Sequence, residues 1–336
     1  MRLLRPLLLA LIAAMLLATA AAAWWLQRPL ELPRTHAGED TAPLVHIEPG
    51  SSARRVAQTL ADAGVQAPPW LLLAWFRLSG HGTAIKAGYY TLEPGLTPRT
   101  LLDKLVRGEQ ALFSLTLVEG WGFREVLQAL RQSTDLTQDL DGLAPSDVMA
   151  RLGYPGVHPE GRFFPDTYRL VRGAPASSVL QQAAQAMDQR LAQAWAQRSP
   201  AAAVKTPEEA LILASIVEKE TGVDGDRALV AGVFSNRLRI GMRLQTDPTV
   251  IYGLGERFDG NLRKADLLTD TPYNSYTRAG LPPTPIAMPG WASLRAAVQP
   301  ADTRALYFVA RGDGSSHFSA TLDEHNAAVR QYQLKR

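Results

Sequence analysis

The stretch Val45-His-Ile-Glu-Pro-Gly50 introduces a pattern that returns at Tyr90-Thr-Leu-Glu-Pro-Gly95 and at Leu115-Thr-Leu-Val-Glu-Gly120. Alternating apolar residues before each glycine have the period of a β-strand. Apolar residues also stand six and ten positions after each glycine, which is the i, i+4 spacing of one helix face. They are Val56 and Leu60, Leu101 and Leu105, and Val126 and Leu130. Each unit therefore predicts a strand, a tight glycine turn and a helix, and the chain is predicted to be α+β.

The first two units, at about residues 44–108, resemble a LysM-like fold, a small module often associated with amino-sugar polymers. A structural or carbohydrate-docking role is favoured here over catalysis, although the likeness alone does not imply glycan binding. We predict a LysM-like module at 44–108 and a larger mixed α+β catalytic region at 109–336, with its core at 206–336.

The N-terminus predicts a membrane anchor. Arg2 and Arg5 precede an uncharged run from Pro6 to Leu26 that is rich in leucine and alanine. About 20 such residues in a helix cross a hydrocarbon layer of roughly 30 Å. Trp24 and Trp25 stand where an interfacial aromatic belt is expected, and the arginines predict a cytoplasmic N-terminus with the bulk of the chain outside.

Residues 1–28 are therefore predicted to be a cytoplasmic stub and transmembrane anchor, and residues 29–43 a polar linker that contains prolines. The alternative is a cleaved signal peptide, because Ala18–Ala23 offers small-residue cleavage sites. The apolar run is longer than a usual signal-peptide core, which favours the anchor.

Composition excludes several classes of function. The 336 residues carry a formal net charge of +3 without a Lys/Arg block, which argues against nucleic-acid binding and suits an anionic polymer or lipid headgroups. The absence of cysteine excludes disulfides, thiolate metal sites and a cysteine nucleophile. The six histidines are scattered and no His-Glu-x-x-His occurs, so neither a metal nor a cofactor is predicted.

The segment Thr206–Gly222 predicts a helix of about four turns. Thr206 is the expected N-cap, Pro207 suits the first helical position, and Glu209 is placed to complete a capping box. Gly222 is expected just past the C-terminal end in a left-handed conformation.

Two carboxylates stand near the end of this helix. Glu218 and Glu220 are two residues apart, hence about 200° around the helix, and cannot face one cleft. Ile216 and Val217 precede Glu220 by four and three positions, so Glu220 is predicted to point into the domain.

Burial and the negative end of the helix dipole should both raise the pKa of Glu220. A carboxylic acid that stays protonated near neutral pH is what the cleavage of a glycosidic bond requires. The alternative is an ordinary helix end with Glu220 paired to an arginine.

Loops that follow the helix are rich in hydroxyl, amide and aromatic groups, which suit the hydroxyls and faces of sugars. The alternative is a set of polar turns stabilised by asparagine and proline. The candidates for sugar binding are Asn236, Gln245, Asp247, Thr249, Tyr252, Asn274 and Tyr276.

Several motifs together resemble the MltG/YceG-like endolytic murein transglycosylases over nearly the whole chain. The most specific are Ala214–Thr221, Asn236–Gly253 and Gly280–Pro283; Val118–Gly120, Glu160–Thr167, Tyr307–Ala310 and His325–Asn326 also fit. The resemblance implies that the second carboxylate of Glu-Lys-Glu-Thr, Glu220, is catalytic.

The resemblance further implies a substrate, the β-1,4 bond between N-acetylmuramic acid and N-acetylglucosamine in peptidoglycan. It implies internal cutting of nascent strands at the inner membrane, with a periplasmic catalytic domain near peptidoglycan synthases. Cutting would leave 1,6-anhydro ends and terminate glycan elongation. Asp247 is expected to orient a neighbouring group.

Two alternatives remain open at this point. One is a muramidase-type hydrolase that uses Glu220 with Asp247 or Glu218 as its partner. The other is a non-catalytic wall-binding scaffold that recruits synthases.

Overall fold

The computed structural model describes residues 4–32, 42–221 and 223–334. The predicted roles of Arg2 and Gly222, and much of the predicted linker, lie outside these residues. The helices are α1 (Leu4–Gln27), α2 (Ala53–Asp62), α3 (Pro69–Leu78), α4 (Pro98–Arg107), α5 (Phe123–Gln132), α6 (Pro145–Arg151), α7 (Ala176–Ala196), α8 (Pro207–Glu220), α9 (Arg227–Arg239), α10 (Asp247–Leu254), α11 (Lys264–Leu268), α12 (Trp291–Val298) and α13 (Leu322–Tyr332).

The strands form two-stranded sheets that pair β1 with β2, β3 with β5, β4 with β6, and β7 with β8. They are β1 (Leu44–Ile47), β2 (Gly88–Thr91), β3 (Leu112–Thr116), β4 (Leu136–Thr137), β5 (Thr167–Val171), β6 (Ala174–Pro175), β7 (Tyr307–Ala310) and β8 (Ser316–Ser319). The mixed α+β class is confirmed.

All three predicted strand–turn–helix units are present. β1, β2 and β3 are followed by glycines at positive φ and then by α2, α4 and α5. The glycines are Gly50, Gly95 and Gly120, with φ of 78°, 90° and 77°. A residue without Cβ adopts this conformation at no steric cost. The six apolar residues predicted to face inward are all buried.

The chain divides into two compact units, of which the first comprises Met1–Phe113 and Arg169–Ala174. In it β1 and β2 pair antiparallel, with Leu44 opposite Thr91 and Ile47 opposite Gly88. The two strands and α2, α3 and α4 enclose one apolar core. The LysM-like character of this unit and the predicted domain roles stay predictions.

The first unit also contains α1. The helical segment Leu8–Gln27 is long enough and apolar enough to cross a membrane, and it is not buried in the protein. Whether it anchors the chain, and in which orientation, stays a prediction.

The second unit comprises Ser114–Tyr168 and Pro175–Arg336. Helix α8 lies at its centre and packs against α7, α9, α10 and α12. Every residue from Ala210 to Val217 is buried, so α8 is surrounded by apolar neighbours on all sides. This central helix carries Glu220 as its last residue.

Candidate active site

Helix α8 begins as its sequence predicts. The Thr206 side chain accepts a hydrogen bond of 3.1 Å from the N–H of Glu209, and Pro207 occupies the first turn. The capping box is not completed as predicted. The carboxylate of Glu209 instead accepts from the N–H of Lys205, the residue before the N-cap, at 2.6 Å.

Glu220 is half-buried at the C-terminal end of α8. Its Oε1 accepts a short hydrogen bond from the hydroxyl of Thr246. Burial raises the pKa of Glu220, and the negative charge of Asp247 raises it further, whereas the Thr246 hydrogen bond and the positive charge of Arg237 oppose the rise. The direction of the shift agrees with the one predicted from the sequence.

Glu218 is also buried, which the helix-face argument did not anticipate. Its side chain is only 8% exposed. Its Oε2 accepts from the N–H of Gly290 at 2.9 Å, and its Oε1 lies 3.9 Å from Nη2 of Arg227. Burial therefore does not distinguish Glu218 from Glu220. Their hydrogen-bond partners do.

A cluster of buried hydroxyls holds Thr246 in place. Oγ of Ser275 accepts from the N–H of Thr246 at 3.0 Å and lies 2.8 Å from Oγ1 of Thr249. Thr249 also donates to the carbonyl of Thr246 at 2.8 Å. Thr249 is fully buried, so the prediction that it contacts sugar is corrected: it supports Thr246. Thr246 and Ser275 were not predicted, although Thr246 stands in the Asn236–Gly253 motif that carries the resemblance.

Asn274 is likewise corrected from a sugar ligand to a support. It is fully buried, and its Nδ2 donates to the carbonyls of Asp266, Leu267 and Thr269 at 2.7–3.2 Å. Its Oδ1 accepts from the N–H of Tyr276 at 2.8 Å. The amide therefore closes the loop after α11 and has no surface for a ligand.

Asn236 is also engaged within the protein. Its Nδ2 donates to the carbonyls of Thr303 and Ala305 at 2.8 and 2.9 Å, and its Oδ1 accepts from Arg239. These contacts satisfy both donors of the amide. Asn236 therefore tethers α9 to the segment before β7, and its predicted contact with sugar stays a prediction.

Three of the predicted sugar-binding residues keep accessible polar surface. Gln245 and Asp247 are exposed, and Tyr276 is partly exposed. The hydroxyl of Tyr276 donates to Oδ1 of Asp247 at 2.5 Å, and the predicted role of Asp247 in orienting a neighbouring group stays a prediction. Gln245 has φ of 50°, which is unusual for a residue with a Cβ.

Arg237 is a buried cation that the sequence analysis did not select. Its Nε donates to the carbonyl of Leu306 at 2.7 Å, and its Nη1 donates to that of Leu244 at 2.5 Å. Its guanidinium lies 5.4 Å from the centre of the Tyr307 ring. Burial lowers the pKa of Arg237, whereas the charge of Glu220 raises it.

Tyr252 contacts a second buried carboxyl group. Its hydroxyl is hydrogen-bonded to Glu160, which is 5% exposed. Both carboxylate oxygens of Glu160 also accept from the N–H of Phe123, at 3.1 and 3.3 Å. Burial raises the pKa of Glu160 to about 7 and also raises the pKa of Tyr252. Glu160 was quoted for the resemblance but was not predicted as a site residue.

The surroundings of Glu220 allow its carboxyl group to hold a proton, donate it and accept a proton again. Glu220 has the raised pKa of a general acid, and Thr246 is placed to stabilise its ionised form. In the described part of the chain, no group of three or more His, Cys, Asp or Glu side chains is placed to hold a metal ion.

Comparison with known families and proteins gives a consistent result. The model of the YceG-like family matches residues 45–331. An endolytic murein transglycosylase of Bacillus subtilis (strain 168) is 31% identical over 306 residues, which cover 86% of this chain and 84% of that protein. A protein of the same name from Streptococcus pneumoniae serotype 2 is 28% identical and is covered over 58% of its length.

The fold also resembles a solved structure. The crystal structure of a YceG-like protein from Listeria monocytogenes superposes with a TM-score of 0.52 at 28% sequence identity. The match covers 84% of this chain and 98% of that one.

Proposed function

Because the chain belongs to the YceG-like family and is a lytic murein transglycosylase, we propose that it cuts nascent peptidoglycan strands internally, with Glu220 as its acid and base. The bond cut is the β-1,4 linkage between N-acetylmuramic acid and N-acetylglucosamine. Internal cutting of this kind ends the elongation of a glycan strand.

The proposed mechanism uses one carboxyl group in two successive steps. Protonated Glu220 gives its proton to the glycosidic oxygen as the bond to C1 breaks. The resulting carboxylate then takes the proton from the C6 hydroxyl of the same muramic acid, and that oxygen bonds to C1. The product ends in a 1,6-anhydro ring, and Glu220 is protonated again. No water is consumed, so no second carboxylate has to activate one.

The observation that carries this proposal is the environment of Glu220. A half-buried carboxyl group with a raised pKa is suited to donate a proton, and the Thr246 hydroxyl stabilises the carboxylate that remains. Glu218, the other carboxylate in the last turn of α8, already accepts from the backbone N–H of Gly290.

Gln245, Asp247 and Tyr276 are proposed to contact the sugar, because their polar groups remain accessible near Glu220. Asp247 influences the pKa of Glu220 through its charge. The hydrogen bond from Tyr276 to Asp247 holds the two side chains next to each other, so that both can contact the same sugar.

We further propose that α1 anchors the protein in the inner membrane with the N-terminus cytoplasmic and the catalytic unit periplasmic. This location would bring Glu220 to strands as synthases extend them. A cleaved signal peptide would instead release the protein from the membrane. Determining the N-terminal residue of the protein isolated from cells distinguishes the two, because only cleavage would remove α1.

The test is mass spectrometry of purified murein digested by the wild type and by Glu220→Gln. The wild type should release fragments with 1,6-anhydro ends, and the variant should be slower by about 100- to 10,000-fold, the usual contribution of a general acid. Glu218→Gln is the matched carboxylate on the same helix and should keep the anhydro product.

Each alternative has its own signature in this experiment. Reducing ends in place of anhydro ends would identify a hydrolase, for which Asp247 is the candidate partner. Equal cleavage by wild type and Glu220→Gln would remove Glu220 from the mechanism. Absence of cleavage by both, with murein binding retained, would favour the scaffold.

A further inference from the structure

Helix α3 has two apolar faces, of which only one is used by the core. Leu72 and Phe76 are fully buried. On the other side Trp70 is 69% exposed and Leu78 is 84% exposed. Exposed apolar side chains that share one helix face form a surface that suits an apolar surrounding.

The outer side of α3 also forms one wall of a groove of about 500 Å³. Leu71, Ala74 and Leu78 contribute this wall, and Ala18, Ala21 and Trp25 of α1 contribute the opposite wall. Leu71, Ala74 and Leu78 stand at i, i+3 and i+7, which is one stripe along a helix. The groove is therefore apolar on both sides and open between two helices of the first unit.

The length of α1 indicates how deep in the membrane this groove lies. Leu8–Gln27 contains 20 residues, about the number needed to cross a hydrocarbon layer of roughly 30 Å. If the whole run crosses, Ala18 lies about 13 Å inside the end of the span at Gln27. The α1 residues that line the groove run from Ala18 to Leu26, so the outer face of α3 lies between that depth and the end of the span.

Two arginines stand next to these apolar residues in the chain. Arg77 is the single charged residue of α3 and is exposed. Arg28 follows α1, and its guanidinium lies 4.9 Å from the centre of the Trp24 ring. Arginine commonly lays its stem along apolar surface and holds its charge at the interface.

We propose that α3 is a second membrane-contacting element, with Trp70, Leu71, Ala74 and Leu78 in the outer leaflet of the bilayer that α1 crosses. Lipid acyl chains fill the groove between α1 and α3. The first unit then contacts the membrane through α3 as well as through α1. This inference rests on the proposed anchoring by α1.

The absence of cysteine makes a direct test simple, because one introduced cysteine is the only labelling site. Full-length Trp70→Cys and Leu78→Cys are labelled with a nitroxide in vesicles of phosphatidylethanolamine and phosphatidylglycerol. Collisions with oxygen, which dissolves in lipid, are compared with collisions with a water-soluble nickel chelate. Ala14→Cys, in the middle of α1, is the embedded reference.

The matched control is Leu268→Cys, because Leu268 is also an exposed helical leucine, 70% exposed, but lies in the second unit. The ratio of oxygen to nickel collisions should be roughly tenfold higher for Trp70→Cys and Leu78→Cys than for Leu268→Cys, since a charged or strongly polar solute is excluded from hydrocarbon. All these positions are exposed, so the substitutions should leave the core intact.

The outcomes separate the two proposals. If Ala14→Cys is embedded while Trp70→Cys and Leu78→Cys behave like Leu268→Cys, α3 faces water and this inference is overturned, but the anchor stands. If Ala14→Cys is also accessible to nickel, the anchor fails and the inference fails with it. Spin–spin broadening between Leu78→Cys labels would place a second copy of the chain in the groove and would also overturn it.

Discussion

At the scale of single residues, the pKa of Glu220 is set by neighbours with opposite effects. The Thr246 hydrogen bond favours the ionised form, and the charge of Asp247 favours the protonated form. Glu220 must be protonated to begin the proposed reaction, so activity should fall as the pH rises through this pKa. The two neighbours can be removed separately.

We predict that Thr246→Val and Asp247→Asn move the alkaline limb of the kcat profile in opposite directions. Thr246→Val removes the donor, so the pKa of Glu220 and the limb should rise by roughly one pH unit. Asp247→Asn removes the negative charge, so the limb should move to lower pH. The measurement is the rate of release of anhydro products between pH 4 and 9.

Thr269→Val is the control for the loss of a threonine hydroxyl. Its Oγ1 donates only to the carbonyl of Ala265, at 2.8 Å, so the limb should not move. A shift in the same direction for Thr246→Val and Asp247→Asn would contradict the assignment.

The stability of the fold should depend on the protonation of Glu160. Folding raises its pKa from 4.5 to about 7, so the folded state holds the proton more tightly than the unfolded state. The stabilisation is complete below about pH 4.5 and is lost as the pH rises to 7. The change amounts to on the order of 3 kcal/mol.

We therefore predict that Glu160→Gln, which cannot ionise, flattens the pH dependence of the free energy of unfolding between pH 4.5 and 7. Urea unfolding at several pH values measures this. Glu256→Gln, at a side chain that is 85% exposed, should retain the wild-type dependence. Parallel profiles for wild type and Glu160→Gln would show that Glu160 is not the titrating group.

At the scale of elements, the connection from α9 to α10 shapes the site. Gln245 adopts φ of 50° between the buried residues Leu244 and Thr246, and its N–H donates to the carbonyl of Ser275 at 3.1 Å. This backbone conformation is unfavourable for a residue with a Cβ. It turns the Gln245 side chain outward while Thr246 reaches Glu220.

We predict that Gln245→Gly is more stable than Gln245→Ala by about 1 kcal/mol, because only glycine relieves the left-handed backbone. Both variants lose the amide proposed to bind sugar, and kcat/KM on murein should fall about tenfold in each. Thermal unfolding and product release measure the two effects. Full activity in Gln245→Gly would exclude a role in sugar binding.

The elements also show which sequence signals were sufficient. α2, α4 and α5 have clear apolar stripes and were predicted correctly. α3 was missed because Pro69–Leu78 is apolar on nearly every side and has no polar face to reveal its period.

At the scale of the whole molecule, the proposed anchor and the proposed chemistry lie in different units. α1 belongs to the first unit, whereas Glu220, Thr246 and Arg237 all belong to the second. The contacts described for Glu220 therefore do not involve α1.

We predict that a chain without residues 1–28 still cuts purified murein in solution at a rate within about threefold of the full chain, a difference in activation free energy of less than about 1 kcal/mol. The reason is that none of the contacts described for Glu220 is lost with α1. Sedimentation with membranes should be lost or greatly weakened. Inactivity of a truncated chain with a normal circular dichroism spectrum would show that the first unit contributes to catalysis.

The sequence by itself determined the features that depend on neighbours within about ten residues: the three strand–turn–helix units, the start of α8 and the apolar length of α1. Only the tertiary structure decided which groups surround Glu220. Thr246 reaches it across 26 positions of sequence. Glu218, which helical periodicity placed on the outer face, accepts a hydrogen bond from Gly290 at a separation of 72. Helical periodicity describes one element at a time, whereas hydrogen bonding and burial depend on every element packed around it.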